Sequence, residues 1–197
     1  MRLRPTVRLF AAVLALTGAW GCRPPAEGPE TPGERAGPGR VENLQVGVAV
    51  AALPSYFRVE VDEGPRLELV PAAAGETGRL LIVAGEPETA GINLVEAIKA
   101  HKEEILARPG GEYKGQRELG SQLGTAFYSR GRYTGSGGAT EEETVVFLVH
   151  PWGDRTLELV YRYPAGDGEE TRRRIEDHLF AVLGELEPIE GGAAAAV

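Results

Sequence analysis

The chain has 197 residues, 42% hydrophobic, 25% charged and 7% aromatic, which fits an ordinary globular domain with extensions and excludes a wholly disordered or fibrous chain. A net charge of −8, from 21 Lys+Arg against 29 Asp+Glu, argues against a nucleic-acid-binding domain. The one Cys leaves no intramolecular disulfide framework and no Cys-rich zinc site.

Residues 1–21 read as an export signal. Arg2, Arg4 and Arg8 give a positive start, and Leu9–Leu16 is an apolar run. That run is too short for a membrane span, which needs ~20 residues, but suits the core of a signal peptide. It ends in Gly18-Ala19-Trp20-Gly21-Cys22, which resembles the bacterial lipoprotein signal, or lipobox. The resemblance implies that Cys22 is lipidated on sulfur and becomes the new N-terminus. Ala19-x-Gly21 also satisfies an ordinary signal cleavage site, which would leave Cys22 as a free thiol. Two or three acyl chains anchor a protein stably where one does not. Arg23, rather than Asp, follows the Cys; by resemblance to enterobacterial sorting this points to the outer membrane, if the cell is Gram-negative. Without the signal, residues 22–197 carry 18 Lys+Arg against 29 Asp+Glu, and such a domain is repelled by anionic headgroups.

Residues 22–40 form the lipidated Cys and a tether: Arg23–Arg40 holds five Pro and four Gly and no large apolar side chain, so it cannot bury surface. Residues 191–197 (GGAAAAV) form a flexible tail. Between them, residues 41–190 are expected to make a single globular domain. Leu44, Val46, Val48 and Val50 alternate with smaller or polar residues, the period of a half-buried strand, and Pro54 ends it. Phe57–Asp62 and Arg66–Val70 follow as a pair of strands, and Arg79–Ala84 (RLLIVA) as a strand covered on both faces. Asn93, with Glu96 three residues on, opens a helix whose apolar stripe takes in Leu94, Ile98 and Ile105 with Val95 and Leu106 beside them; Pro109-Gly110-Gly111 ends it. Four further strands are expected at Tyr113–Leu119, Gly124–Tyr133, Thr144–His150 and Thr156–Tyr163. A last helix from near Asp167 to about Glu187 is stopped by Pro188.

Several strands, a helix, four strands and a helix predict an α+β fold: a mostly antiparallel sheet of about six to eight strands with two main helices packed on it. This order, the strand–Pro–aromatic entry at Val46–Phe57 and the Tyr-rich strand with closing helix at Thr156–Ile189 resemble the PsbP-like superfamily. The resemblance implies an α/β/α sandwich and a binding or assembly-factor role without catalysis.

Chemistry-bearing residues are sparse. His101 and His178 each sit alone on a helix, without the i, i+4 partner of a helical zinc site, and are expected as solvated or boundary residues. His150, Trp152 and Asp154 surround a tight turn and form a weak candidate polar site; a His–carboxylate pair there could act as a general base, but Asp154 fits a turn-forming role better. Glu141-Glu142-Glu143 reads as a solvated loop end, since three consecutive side chains cannot converge on one Ca²⁺. Arg172-Arg173-Arg174 is a basic spot on an acidic domain, interleaved with Glu169, Glu170, Glu176 and Asp177, and is the candidate interaction patch. No catalytic residue, metal ligand or cofactor is assigned. The expected function is a lipid-anchored, extracytoplasmic binding or assembly module in the bacterial envelope, facing the periplasm or exterior, with an envelope protein as partner and no nucleic acid. A carrier of a small apolar ligand or lipid is the alternative, and a hydrolase using His150 and Asp154 a more distant one.

Overall fold

The computed structural model describes residues 39–165 and 169–189. The signal, Cys22, most of the tether, the expected helix start at Asp167 and the tail lie outside the described residues.

Among the described residues the predicted α+β architecture is observed, with two helices and the expected antiparallel sheet, joined by a second, three-stranded antiparallel sheet. The larger sheet has seven strands, in the order β3 (Phe57–Glu63), β4 (Arg66–Pro71), β5 (Arg79–Ala84), β9 (Thr156–Pro164), β8 (Thr140–Val149), β7 (Gly124–Thr134) and β6 (Glu112–Ser121). Between β5 and β6, α1 (Leu94–Ala107) carries the chain over one face to the far edge, and the meander β6–β9 returns to pair with β5. That crossover is why β5, β8 and β9 are central. Val145 and Phe147 pack under α1 with Ile98, while Val146 and Leu148 face the opposite core with Leu179 and Val182 of α2 (Glu169–Gly184). The continuous apolar run of β8 thus has a physical cause: both of its faces are covered.

α1 starts where Asn93 was expected to cap it; its Oδ1 accepts the backbone N–H of Val95 and of Glu96. The buried stripe is Ile98, His101 and Ile105, whereas Val95 and Leu106, expected beside it, are exposed. Ile105 lies on β7 so closely that a Cβ on Gly131 would meet its Cγ2 at 2.5 Å and its Cγ1 at 2.8 Å. Ile105 is fully buried and β-branched, so it cannot swing aside. Gly131→Ala should therefore cost about 1–3 kcal/mol by overpacking; an unchanged urea midpoint would show that α1 is not held at this distance.

Three local expectations are corrected. The strand read through Leu44–Val50 is a hairpin, β1 (Val41–Asn43) and β2 (Val48–Val50). Its turn is fixed by Asn43, whose Oδ1 accepts the N–H of Gln45 and Val46, and by Gly47 at φ +76°; Leu44 points to solvent. The last helix ends at Gly184 rather than near Glu187, because Leu186–Pro188 leaves it as β10 to pair with β2 and complete the small sheet. Third, Thr140–Glu143 belong to β8, not to a loop.

Candidate functional site

The β8–β9 turn holds the first candidate set. His150 is buried, and both ring nitrogens are engaged by backbone. Nδ1 accepts the Trp152 N–H at 3.1 Å, which leaves Nε2–H to donate to the Val46 carbonyl at 2.6 Å. Burial pushes its pKa below the usual imidazole value, against the Val46 carbonyl, which favours the charged form. Asp154 does not reach the ring: its two oxygens take Nε and Nη2 of Arg155, both at 2.8 Å. Trp152 tilts against His150 at 4.4 Å between ring centroids, and Arg155 lies over the indole at 4.8 Å. Since Val46 lies in the β1–β2 hairpin, His150 ties the small sheet to the large one.

The second set lies on α2. Arg172 reaches Glu169 at 3.2 Å and Glu176 at 3.9 Å, Arg173 reaches Glu169 at 2.8 Å, and Arg174 reaches Glu76 at 3.4 Å. Arg173 and Arg174 remain 70% and 53% exposed, so their pairs are loosely held and readily exchanged for an incoming carboxylate. Glu176 also accepts from Tyr128 Oη at 2.7 Å and from Arg130 at 3.4 Å, fastening α2 to β7. His178 is a boundary residue, as expected, stacked on Tyr56 at 3.5 Å.

The structure also builds a polar cluster that the sequence reading missed. His101 was expected at the surface and is buried; Glu143 was expected on a solvated loop and is 2% exposed. The spacing does carry the signal: 98, 101 and 105 share a helix face, and 143, 145 and 147 share a strand face. The imidazole Nδ1 lies 2.8 Å from Ser129 Oγ and Nε2 lies 3.2 Å from Glu143 Oε1. A carboxylate only accepts, so Nε2–H donates to Glu143, and in the neutral ring Nδ1 then accepts a hydrogen bond from the Ser129 hydroxyl. Glu143 Oε2 further accepts from Arg162 Nε, from Arg108 at 3.3 Å and from Tyr133 Oη at 3.4 Å, and Arg108 covers the Tyr133 ring at 4.1 Å.

These charges decide the ionisation of Glu143. Burial alone would raise its pKa, but the hydrogen bonds from His101 and Arg162, with the charges of Arg162 and Arg108, outweigh it and hold the carboxyl down at about 2. Burial, with the field of Glu143 added, pushes the Tyr133 hydroxyl up to about 12. Ser129, His101 and Glu143 have the composition of a nucleophile–base–carboxylate relay. Ser129 is fully buried under α1, however, so its hydroxyl faces a packed interior rather than a substrate.

No family profile matches the chain, and no curated protein matches it by sequence. Solved structures do. The Ran-binding protein Mog1p of Saccharomyces cerevisiae superposes with a TM-score of 0.54 at 15% identity, over 76% of this chain and 94% of that one. LpqN of Mycobacterium tuberculosis, involved in cell envelope biogenesis, superposes with a TM-score of 0.51 at 15% identity, over 71% of this chain and 81% of that one. The likeness is one of fold. It agrees with the α+β fold, two helices on an antiparallel sheet, expected from the element order.

Proposed function

We propose that the protein is a lipid-anchored binding or assembly module of the bacterial cell envelope, without catalytic chemistry of its own, and that it engages a protein partner through the α2 surface at Arg172–Arg174. The observation that carries this reading is how the polar groups are used. His101 and His150 have both ring nitrogens committed to internal partners, while Arg173 and Arg174 of α2 stay open to solvent in single, loosely held pairs. The lipobox at Cys22, and a fold shared with a Ran-binding protein and with a protein of envelope biogenesis, support the setting and the mode of action. An acidic protein whose one arginine run is exposed suits a partner with an acidic face.

In-cell crosslinking followed by mass spectrometry tests the reading. An abundant envelope protein should be captured, and reversing Arg172, Arg173 and Arg174 to Glu should reduce its yield at least tenfold. Unchanged capture by the triple variant would exclude this surface. Cys22→Ser should release the protein from the membrane fraction or stall its processing; an unchanged lipid-linked N-terminus would refute the anchor.

A further inference from the structure

A half-open concavity of about 240 Å³ lies where the α2 side of the large sheet meets the first turns of α2. That is about the room of eight water molecules at ~30 Å³ each. Four cations line it from three elements: Lys114 of β6, Arg130 and Arg132 of β7, and Arg172 of α2. The hydroxyls of Thr171 and Tyr163 and the carboxylate of Glu142 complete the lining. This is a built arrangement rather than a chance cluster. Arg132, Glu142 and Tyr163 are register partners across β7, β8 and β9, and Arg130 precedes Arg132 by two residues on the same face.

The charges are partly neutralised already, and the remainder is informative. Lys114 and Arg132 share Glu112 at 2.5 and 2.6 Å, Arg130 and Arg172 share Glu176 with Arg117, and Arg172 shares Glu169 with Arg173. Six cations share the carboxylates of Glu112, Glu169 and Glu176; counting Glu142 of the lining as well, two positive charges are left in surplus among these described residues, on a chain whose net charge is −8. A single carboxylate is matched by one arginine fork. Cations converging from several directions instead suit a tetrahedral dianion, whose acceptors point several ways. Glu142 would repel a bare anion; its Oε2 accepts the Tyr163 hydroxyl at 2.9 Å, and Oε1 has no hydrogen-bond donor among the described residues.

We propose that this concavity binds a small phosphorylated polyol: the phosphate monoester sits among Lys114, Arg130, Arg132 and Arg172, and a neighbouring ligand hydroxyl donates to Glu142. The site shares Arg172 with the docking surface proposed above, but Arg173 and Arg174 of that surface lie outside the concavity. A phosphate diester, the form found in phospholipid headgroups, carries one charge and matches the surplus less well than a monoester.

Calorimetric titration of the full chain in non-ionic detergent at low salt is the test, with glucose 6-phosphate, inorganic phosphate and glycerophosphoglycerol as probes. Glucose 6-phosphate should bind one to one, and at least tenfold more tightly than either inorganic phosphate or the diester. Lys114→Gln and Arg172→Gln should each weaken it five- to tenfold, while Arg174→Gln, outside the concavity, should not change it. Glu142→Gln should strengthen inorganic phosphate binding and narrow the advantage of the sugar phosphate. Should a lining variant fold poorly, a saturable rise in the melting temperature of the unaltered protein with glucose 6-phosphate is the second readout. No saturable binding, equal binding by the lining variants, or a diester that binds as tightly as the monoester would each overturn the proposal. Loss of glucose 6-phosphate binding with retained crosslinking to a protein partner would overturn this site and leave the docking surface standing.

Discussion

Glu143→Ala should lower the stability of the protein by about 3 kcal/mol, measured as a fall in the urea midpoint at unchanged slope. Deleting one partner of a buried ion pair typically costs ~3–5 kcal/mol. The lower end applies here because Arg162 is 44% exposed and can turn to water once Glu143 is gone. His101 cannot: it is buried, and its Nε2–H would lose its acceptor. Glu143→Gln keeps the volume but gives up the charge and should cost slightly less near neutral pH, about 2–3 kcal/mol. A loss below ~0.5 kcal/mol for the alanine variant would mean that water replaces the carboxylate without penalty, contrary to the packing around it.

The same carboxylate sets an acid limit. Its folded pKa of about 2 lies below the ordinary 4.5. The ionised form is thus favoured by folding, and its contribution, on the order of 3 kcal/mol, is complete above the unfolded value and lost as pH falls through the folded one. The stability gap between the unaltered protein and Glu143→Gln should therefore be full at pH 6–7 and close between about pH 5 and pH 2. A gap that stays constant over that range would place the effect in packing rather than in charge.

Gly47→Ala is the second large effect, expected at about 2–5 kcal/mol. Two penalties combine: a non-glycine residue at φ +76° costs ~1–2 kcal/mol, and an added Cβ would sit 2.5 Å from Trp152 Cζ2 and 2.8 Å from His150 Cε1, adding ~1–3 kcal/mol of overpacking. The clash falls on the contact that joins the hairpin to the β8–β9 turn, so it should also loosen the hydrogen bond between His150 and the Val46 carbonyl. Trp152→Ala in the Gly47→Ala background should recover part of the loss, because removing the indole relieves the steric share and leaves the backbone share. Additive losses in the double variant would show that the indole is not what confines Gly47.

Much of the fold is legible in the sequence because it rests on periodicity. The two-fold alternation in Thr156–Tyr163 and the apolar run Val145–Val149 mark strands wherever their partners lie, and Asn93 marks a helix start by local hydrogen bonding alone. Leu44–Val50 misleads for the opposite reason: alternation across a tight turn mimics alternation along a strand, and only the Asn43 side chain, bonded to two backbone N–H groups, separates the cases. Leu186–Pro188 continues the apolar stripe of α2 in sequence but leaves the helix in space. A strand partner, Val48–Val50, is available more than a hundred residues away.

The polar residues divide along the same line. The sequence by itself determined most of the strand and helix order and the position of the arginine run, because each depends on residues close together in the chain. It did not determine which polar side chains meet. His101, Ser129, Glu143 and Arg162 are separated by 14 to 28 residues from one to the next along the chain, and the concavity at Lys114, Arg130, Arg132 and Arg172 draws on β6, β7 and α2. Only the crossover of α1 and the return of the β6–β9 meander bring such groups within hydrogen-bond range. Once there, burial changes their energetics, since a charge removed from water must find a partner. Glu143 and His101 find each other under α1, whereas the cations lining the concavity keep part of their surface in water.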